Sequence, residues 1–170
     1  MKSFIYLMFT VLFCNVALAS MSPETQNKLT FSMIKPEAVA QGLSGDINAD
    51  IQKAGLKIVA QKMLTLTSQD VEKFYEVHKG KPFFQSLVDQ MANKTVIVQV
   101  LMGTNDKVIE QYRNLMGATN PQQAKPNTLR AKYAKNMPLP ANAVHGSDSA
   151  ENAKAEIFYF FSEREICLPQ

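Results

Sequence analysis

Histidine and cysteine are scarce in this chain, and that scarcity is the first thing to narrow its chemistry. There are two of each. Cys14 falls in the first twenty residues and Cys167 close to the C-terminus. A chain processed after residue 19 would keep one thiol and no internal disulfide, so its fold must stand on its core. Two histidines and one thiol argue against a protein-built zinc centre. Charge of one sign is lacking too. A net charge of +3 and a pI near 8.8 favour anionic ligands mildly, without the Lys/Arg stripes of a nucleic-acid binder. Standard phosphate loops are missing: there is no G-x-x-x-x-G-K-[ST], and Gly42 and Gly45 are too sparse for G-x-G-x-x-G. No G-x-S-x-G of a serine hydrolase is found either.

A long membrane-spanning run is also absent. The apolar stretch from Phe4 to Phe13 is stopped by Asn15 and by Ser20-Met21-Ser22-Pro23-Glu24, short of the ~20 residues a span requires. Lys2, this apolar stretch and Ala17-Leu18-Ala19 make residues 1–19 read as a cleaved secretory signal, which implies a secreted or periplasmic protein with no transmembrane segment in the mature chain. The alternative is that Met21 is the true first residue of a cytoplasmic protein. Residues 20–28 form a short lead, and 29–167 make one domain; a chain of 170 residues has room for one real core and not for two.

Periodicity outlines the domain. "LTFSMI" at 29–34 reads as a strand ending at Lys35-Pro36, and Ile47, Ile51 and Ala54 recur at helical spacing up to Gly55. "LKIVAQKMLTL" at 56–66 alternates as a strand. Helices are expected over 68–78 and from Pro82 to about Met91. "TVIVQVLM" at 95–102 is apolar nearly throughout, which suits a central strand covered on both faces. Helical spacing returns over 105–115. Residues 117–144 then hold four of the eight prolines, a long excursion with one turn of helix expected at 128–134; excursions of this length in compact domains are usually functional. Asp148 and Glu151 read as the N-cap pair of a helix whose face is Ala153, Ile157, Phe160 and Phe161. With a late strand, the order suggests an α+β protein with helices on one face of an antiparallel sheet. Strand order does not follow from periodicity.

His145 stands in the Gly-Ser-Asp turn ahead of that last helix. Its imidazole is largely neutral near pH 7 and suits a nucleophile or acid–base group, and the helix N-terminus favours anions. Gly146 is expected to let backbone approach a ligand, Ser147 and Ser149 offer hydroxyls, and Glu156 can reach back to a ring nitrogen. The plainer alternative is a polar turn with a cap. Lys35, Arg113 and Arg130, each beside a break in the pattern, are the best-placed phosphate cations, against the alternative of solvated surface charges.

Five segments now stand in order: "FSMIKPEAV" at 31–39, "FYEVHKGKPFF" at 74–84, "MGATNP" at 116–121, "TLRAKYA" at 128–134 and "NAVHGSDSAENAKAEI" at 142–157. Together they resemble the nucleoside diphosphate kinase family from about residue 29 to 167. The resemblance implies a ferredoxin-like βαββαβ sandwich in which His145 takes the γ-phosphate of a nucleoside triphosphate and passes it to a diphosphate, in ping-pong fashion. By the same resemblance Lys35, Arg113, Arg130 and Thr119 hold phosphates, Phe83 stacks on the base and Asn142 meets the sugar hydroxyl. Tyr75, Ser147 and Glu156 surround the histidine. Mg²⁺ arrives bridged by nucleotide phosphates, with no protein side chain as ligand. Phe83 has the alternative of core filling beside Phe84, and Tyr75 that of packing on a helix face; His78 has no family role and reads as a surface residue.

The chain departs from the family pattern in several places. The segments 103–113 and 130–145 are each about two residues longer, Lys132 replaces a common aspartate, Met102 a glutamate, and Asn93-Lys94 a Gly-Pro turn. None removes a residue of direct catalytic role. A homo-oligomer, tetramer or hexamer, is implied, and no stable nucleic-acid complex. The competing function class is an exported nucleotide-binding or protein-interaction module of the same fold with little turnover.

Overall fold

Every residue of Leu29–Ile34 (β1) is buried, which a strand achieves only inside a sheet covered on both faces. The computed structural model describes residues 21–138 and 140–169, so the proposed signal segment 1–19 lies outside the described residues. The lead carries one short helix, Pro23–Gln26 (α1), capped by Ser22. Among the described residues, β1 joins Lys57–Leu66 (β2), Lys94–Met102 (β3) and Val144–Gly146 (β4) in a single antiparallel sheet of order β2-β3-β1-β4. That order, open from periodicity, is the ferredoxin-like one.

Alternation sorts the core. Phe31, Met33, Val96, Val98 and Val100 point to one face; Ile34, Ile97 and Leu101 point to the other. On the second face lie Pro36–Ala40 (α2), Ser44–Lys53 (α3) and Val108–Met116 (α6), which bury Ala38, Ile47, Ile51, Val108, Tyr112 and Met116. The helices α3 and α6 make the two crossovers. Beyond the one helical face expected, the first face is also covered, by Ser68–Phe74 (α4), Phe84–Met91 (α5) and Ala150–Phe160 (α8). Leu129–Tyr133 (α7) is the helical turn expected in the long excursion.

Several boundaries differ from the pattern reading, each for a local reason. The helix expected over 68–78 ends at Phe74 and tightens into a 3₁₀ turn, Glu76–His78. Helix α5 starts at Phe84, because Phe83 is its N-cap. Strand β2 does not alternate cleanly: a bulge between Ile58 and Ala60 leaves both Val59 and Ala60 buried, since a bulge places one extra residue against its neighbour. Helix α2 has only five residues, too few for a periodic signal.

The departures from the family pattern have physical partners. Lys132 Nζ reaches Asp50 Oδ2 at 2.8 Å, and Tyr133 donates to the same oxygen. Asn93 sits at φ 56°, in the left-handed region that asparagine tolerates. Lys94 Nζ donates to the carbonyls of Asp89 and Gln90 at the end of α5, where a cation suits the helix dipole.

Candidate active site

His145 stands on β4, opposite Met33 of β1, rather than in the turn that follows. The strand is three residues long, so only tertiary pairing distinguishes it from loop. Its Nε2 lies 3.0 Å from Glu156 Oε1, on the second turn of α8. A carboxylate only accepts, so Nε2 carries the hydrogen, and in the neutral ring Nδ1 then keeps its lone pair. Ser147 Oγ donates to Glu156 Oε2 at 2.6 Å and accepts from the Phe31 amide. The carboxylate is thereby fixed from both sides.

Rings enclose the imidazole. Phe74 stands edge-on at 5.4 Å, Tyr75 edge-on at 5.9 Å and Phe31 at 6.0 Å between centroids. Gly146 lines the cavity over the histidine, and packing behind it requires a glycine as well. A Cβ there would lie 2.6 Å from the Tyr112 ring and 2.9 Å from Met116 Cε. Tyr112 thus packs against the strand bearing His145, and its hydroxyl bonds Ser32 Oγ at 2.7 Å. Burial pushes the Tyr112 phenol up to about 12. The N-cap of α8 is Ser149, which accepts from the Asn152 amide, and Asp148 takes the Asn152 side chain. The cap therefore falls one residue later than the Asp148–Glu151 reading.

A cavity of about 510 Å³ opens over the histidine. Lys35, Tyr75, Phe83, Arg113, Thr119, Arg130, Asn142, His145 and Glu156 all line it. Of the site residues the resemblance implies only Ser147 does not, and it acts on the cavity through Glu156; Ser149, the other hydroxyl of the turn, caps α8 instead. Arg130 is buried, donating through Nη1 to Gly117 O and Nη2 to Val144 O, with Nε left unpartnered. Burial lowers its pKa, and so does neighbouring Arg113. Lys35 is also buried; desolvation brings its ammonium down to about 8, with Glu37 opposing that and Arg130 adding to it. Among the described residues no carboxylate pairs with Lys35, Arg113 or Arg130. All three line the cavity, with the charge of Glu37 felt at Lys35 and that of Arg113 felt at Asp148, a further lining residue.

Other buried polar atoms also lack partners among the described residues: the Tyr75 hydroxyl and Asn142 Oδ1, while Asn142 Nδ2 donates to Thr119 O at 3.2 Å. Such atoms cost stability unless a ligand or water meets them. At the far end Phe83 is 50% exposed, so it is not core filling. His78, read as a surface residue, instead lines the cavity between Tyr75 and Phe83. Its burial, with Lys81 3.3 Å from Nδ1, lowers its pKa. The spacing of Phe74, Tyr75 and His78 on one side of a turn was the available signal. Phe74 and Glu37 were missed as well. A larger hollow, about 790 Å³ between α2 and the edge of β2, holds none of the cations except Lys94.

The sheet and its crossovers define a ferredoxin-like α+β protein, and the cavity is fitted to an anionic ligand with a flat end. A model of the family "Nucleoside diphosphate kinase" matches residues 28–166. The nucleoside diphosphate kinase of Phenylobacterium zucineum is 53% identical over 137 residues, 81% of this chain and 96% of that protein. Among solved structures, the Halobacterium salinarum enzyme in complex with CDP has a TM-score of 0.76 and 35% identity, over 84% of this chain and 92% of the other. A transition state mimic of the Borrelia burgdorferi enzyme, with bound vanadate and ADP, has a TM-score of 0.74 and 30% identity, over 84% and 91%. The chain belongs to the nucleoside diphosphate kinase family, and so to the phosphotransferases.

Proposed function

We propose that the chain moves the γ-phosphoryl group of a nucleoside triphosphate to a nucleoside diphosphate through a phosphohistidine on His145. The observation that carries this is the histidine's asymmetry: Nε2 is tied to Glu156, and Nδ1, without a partner among the described residues, stands at a cavity lined by three cations that no carboxylate pairs with among those residues. In the first half-reaction the Nδ1 lone pair forms a bond to the γ-phosphorus. The bond to the β–γ bridging oxygen breaks, and the diphosphate leaves with that electron pair. In the second, a terminal oxygen of another diphosphate attacks the phosphorus, and Nδ1 recovers its lone pair. No proton need move at Nδ1; Glu156 supports the positive charge that builds on the ring.

A loose phosphoryl transition state demands alignment and charge neutralisation more than acid–base work. Lys35, Arg113, Arg130 and the Thr119 hydroxyl would supply these at the phosphates, with Arg130 Nε and the Tyr75 hydroxyl as further donors. Asn142 Oδ1, an acceptor with no donor, suits a sugar hydroxyl. Phe83 offers a flat face to any base. The family's divalent cation, which we take to be Mg²⁺, enters as part of the substrate. Among the described residues no group of three or more His, Cys, Asp or Glu could hold a metal, so oxygens of the nucleotide phosphates are its natural ligands.

The experiment is to incubate the protein with γ-labelled ATP and Mg²⁺. An acid-labile, alkali-stable label that is chased off by unlabelled diphosphate and absent from His145→Ala supports the reading. Nucleotide binding without label would favour the binding module instead. Two further parts of the proposal have their own tests. Homo-oligomeric assembly predicts a sedimentation mass several times that of the chain, and a monomer contradicts it. Export predicts a mature protein beginning at Ser20, whereas one beginning at Met21 or Ser22 contradicts it.

A further inference from the structure

Glu37 has no part in the chemistry above, yet its carboxylate holds the segment that leads into His145. One oxygen, Oε1, accepts from the amides of Asn142 at 3.1 Å and Ala143 at 3.3 Å, and from Gln90 Nε2 at 3.4 Å. From the same short stretch, the Lys35 amide donates to Ala143 O at 2.8 Å. Ala143 is fully buried and sits at φ 63°, a left-handed conformation that a residue with a Cβ adopts only at a cost. Two successive amides turned toward one anionic oxygen form a nest, and that oxygen offsets the cost. Asn142 is therefore gripped twice, at its amide by Glu37 and at its side-chain nitrogen by Thr119 O. Its Oδ1 is left buried and without a donor.

We propose that Glu37 is a positioning residue for recognition of the nucleotide sugar: by anchoring the amides of residues 142 and 143 it aims Asn142 Oδ1 at a sugar hydroxyl. This rests on the role given to Asn142 under the proposed function. Glu37 itself touches no substrate. Its hydrogen bonds act at the sugar end, while its charge also acts on Lys35, so the part of its loss that belongs to the sugar should discriminate between substrates that have sugar hydroxyls and those that lack them.

The test is the ratio of kcat/KM for a ribonucleoside diphosphate to that for its 2′,3′-dideoxy analogue, each accepting phosphate from the phosphoenzyme. The ratio cancels whatever a substitution does to the phosphate-binding cations, Lys35 included. Glu37→Ala is expected to lower it about five- to tenfold, the worth of one hydrogen bond. Glu37→Gln, which keeps an acceptor oxygen for the two amides, should restore it. In an Asn142→Ala background, Glu37→Ala should lower it no further. If the alanine variant does not fold, Glu37→Asp, which withdraws the oxygen by one methylene, reads the same ratio. Equal losses for both substrates in the alanine or aspartate variant would make Glu37 a fold residue only and overturn the proposal, as would additive losses with Asn142→Ala. A wild-type protein that forms no phosphohistidine would bring down the proposed function itself. One that transfers phosphate without distinguishing the two sugars would remove the Asn142 contact, and the inference with it.

Discussion

The two ends of the cavity are built differently. At the histidine end the framework is tied, His145 Nε2 to Glu156, Glu156 to Ser147, Ser147 to the Phe31 amide and Arg130 to two backbone carbonyls, with Arg130 Nε and the Tyr75 hydroxyl unpartnered among the described residues. At the other end Phe83 is 50% and Val77 76% exposed, and Lys81 lies 5.9 Å above the Phe83 ring. One end fixes atoms to within a hydrogen bond; the other presents a flat ring. In the reaction proposed above, a site so divided would read phosphate and sugar closely and the base loosely. Orientation is invested where charge is transferred, because misplacement there is what slows a phosphoryl transfer.

The largest effect that would sharpen this contrast is expected from Arg130→Ala. It should lower kcat/KM by roughly 10²–10³, as removal of a preorganised donor to developing charge does. It should also destabilise the fold by about 2 kcal/mol through the two stranded carbonyls. Steady-state kinetics and thermal melting read both losses. A tenfold loss or less would move Arg130 out of the tight end.

Raising the pH should act on Lys35 in two opposite directions. Above about 8 the folded chain gives up the Lys35 proton, so triphosphate affinity should fall up to tenfold per pH unit. The unfolded chain keeps that proton until about 10.5 and binds more protons across the window. Stability of the unliganded protein should therefore rise with pH there, by about 3 kcal/mol over the whole window. Titration calorimetry and denaturant melts at stepped pH should diverge; parallel curves would show that Lys35 is not the group responsible.

Glu156→Gln should slow phosphoenzyme formation about tenfold, since a neutral amide makes the weaker hydrogen bond and cannot balance charge on the ring. Rapid-quench labelling measures it. The smallest effect belongs to the open end. Phe83→Ala should raise KM about fivefold, by similar factors for purine and pyrimidine nucleotides. A loss confined to one base would give that end a selectivity its geometry does not suggest.

What the sequence revealed and what it hid divide along the same physical line. Strand β3 was legible because a strand buried on both faces is apolar almost throughout, and β1 because its alternating residues stop at Lys35-Pro36. The cations were legible as candidates because Lys35, Arg113 and Arg130 interrupt patterns. Their convergence on one cavity was not, since nothing local brings residues 35, 113 and 130 together. Strand β4 exists only through its pairing with β1, which is why His145 was assigned to a turn. Gly146 looked like an opening for ligand and does line the cavity, but the Tyr112 ring packed behind it comes from α6. Glu37 and His78 left only faint local signals; their places depend on partners more than fifty residues away or on a helix that ends early. Long-range contact, more than composition, carries the part that was missed.

Phosphorus NMR of the protein after brief reaction with a nucleoside triphosphate and Mg²⁺ tests the central claim most directly. The account predicts one phosphoryl group, bonded to Nδ1 of His145, with Nε2 still donating to Glu156. A phosphoryl group on Nε2, on Ser147 or on no side chain at all would contradict it.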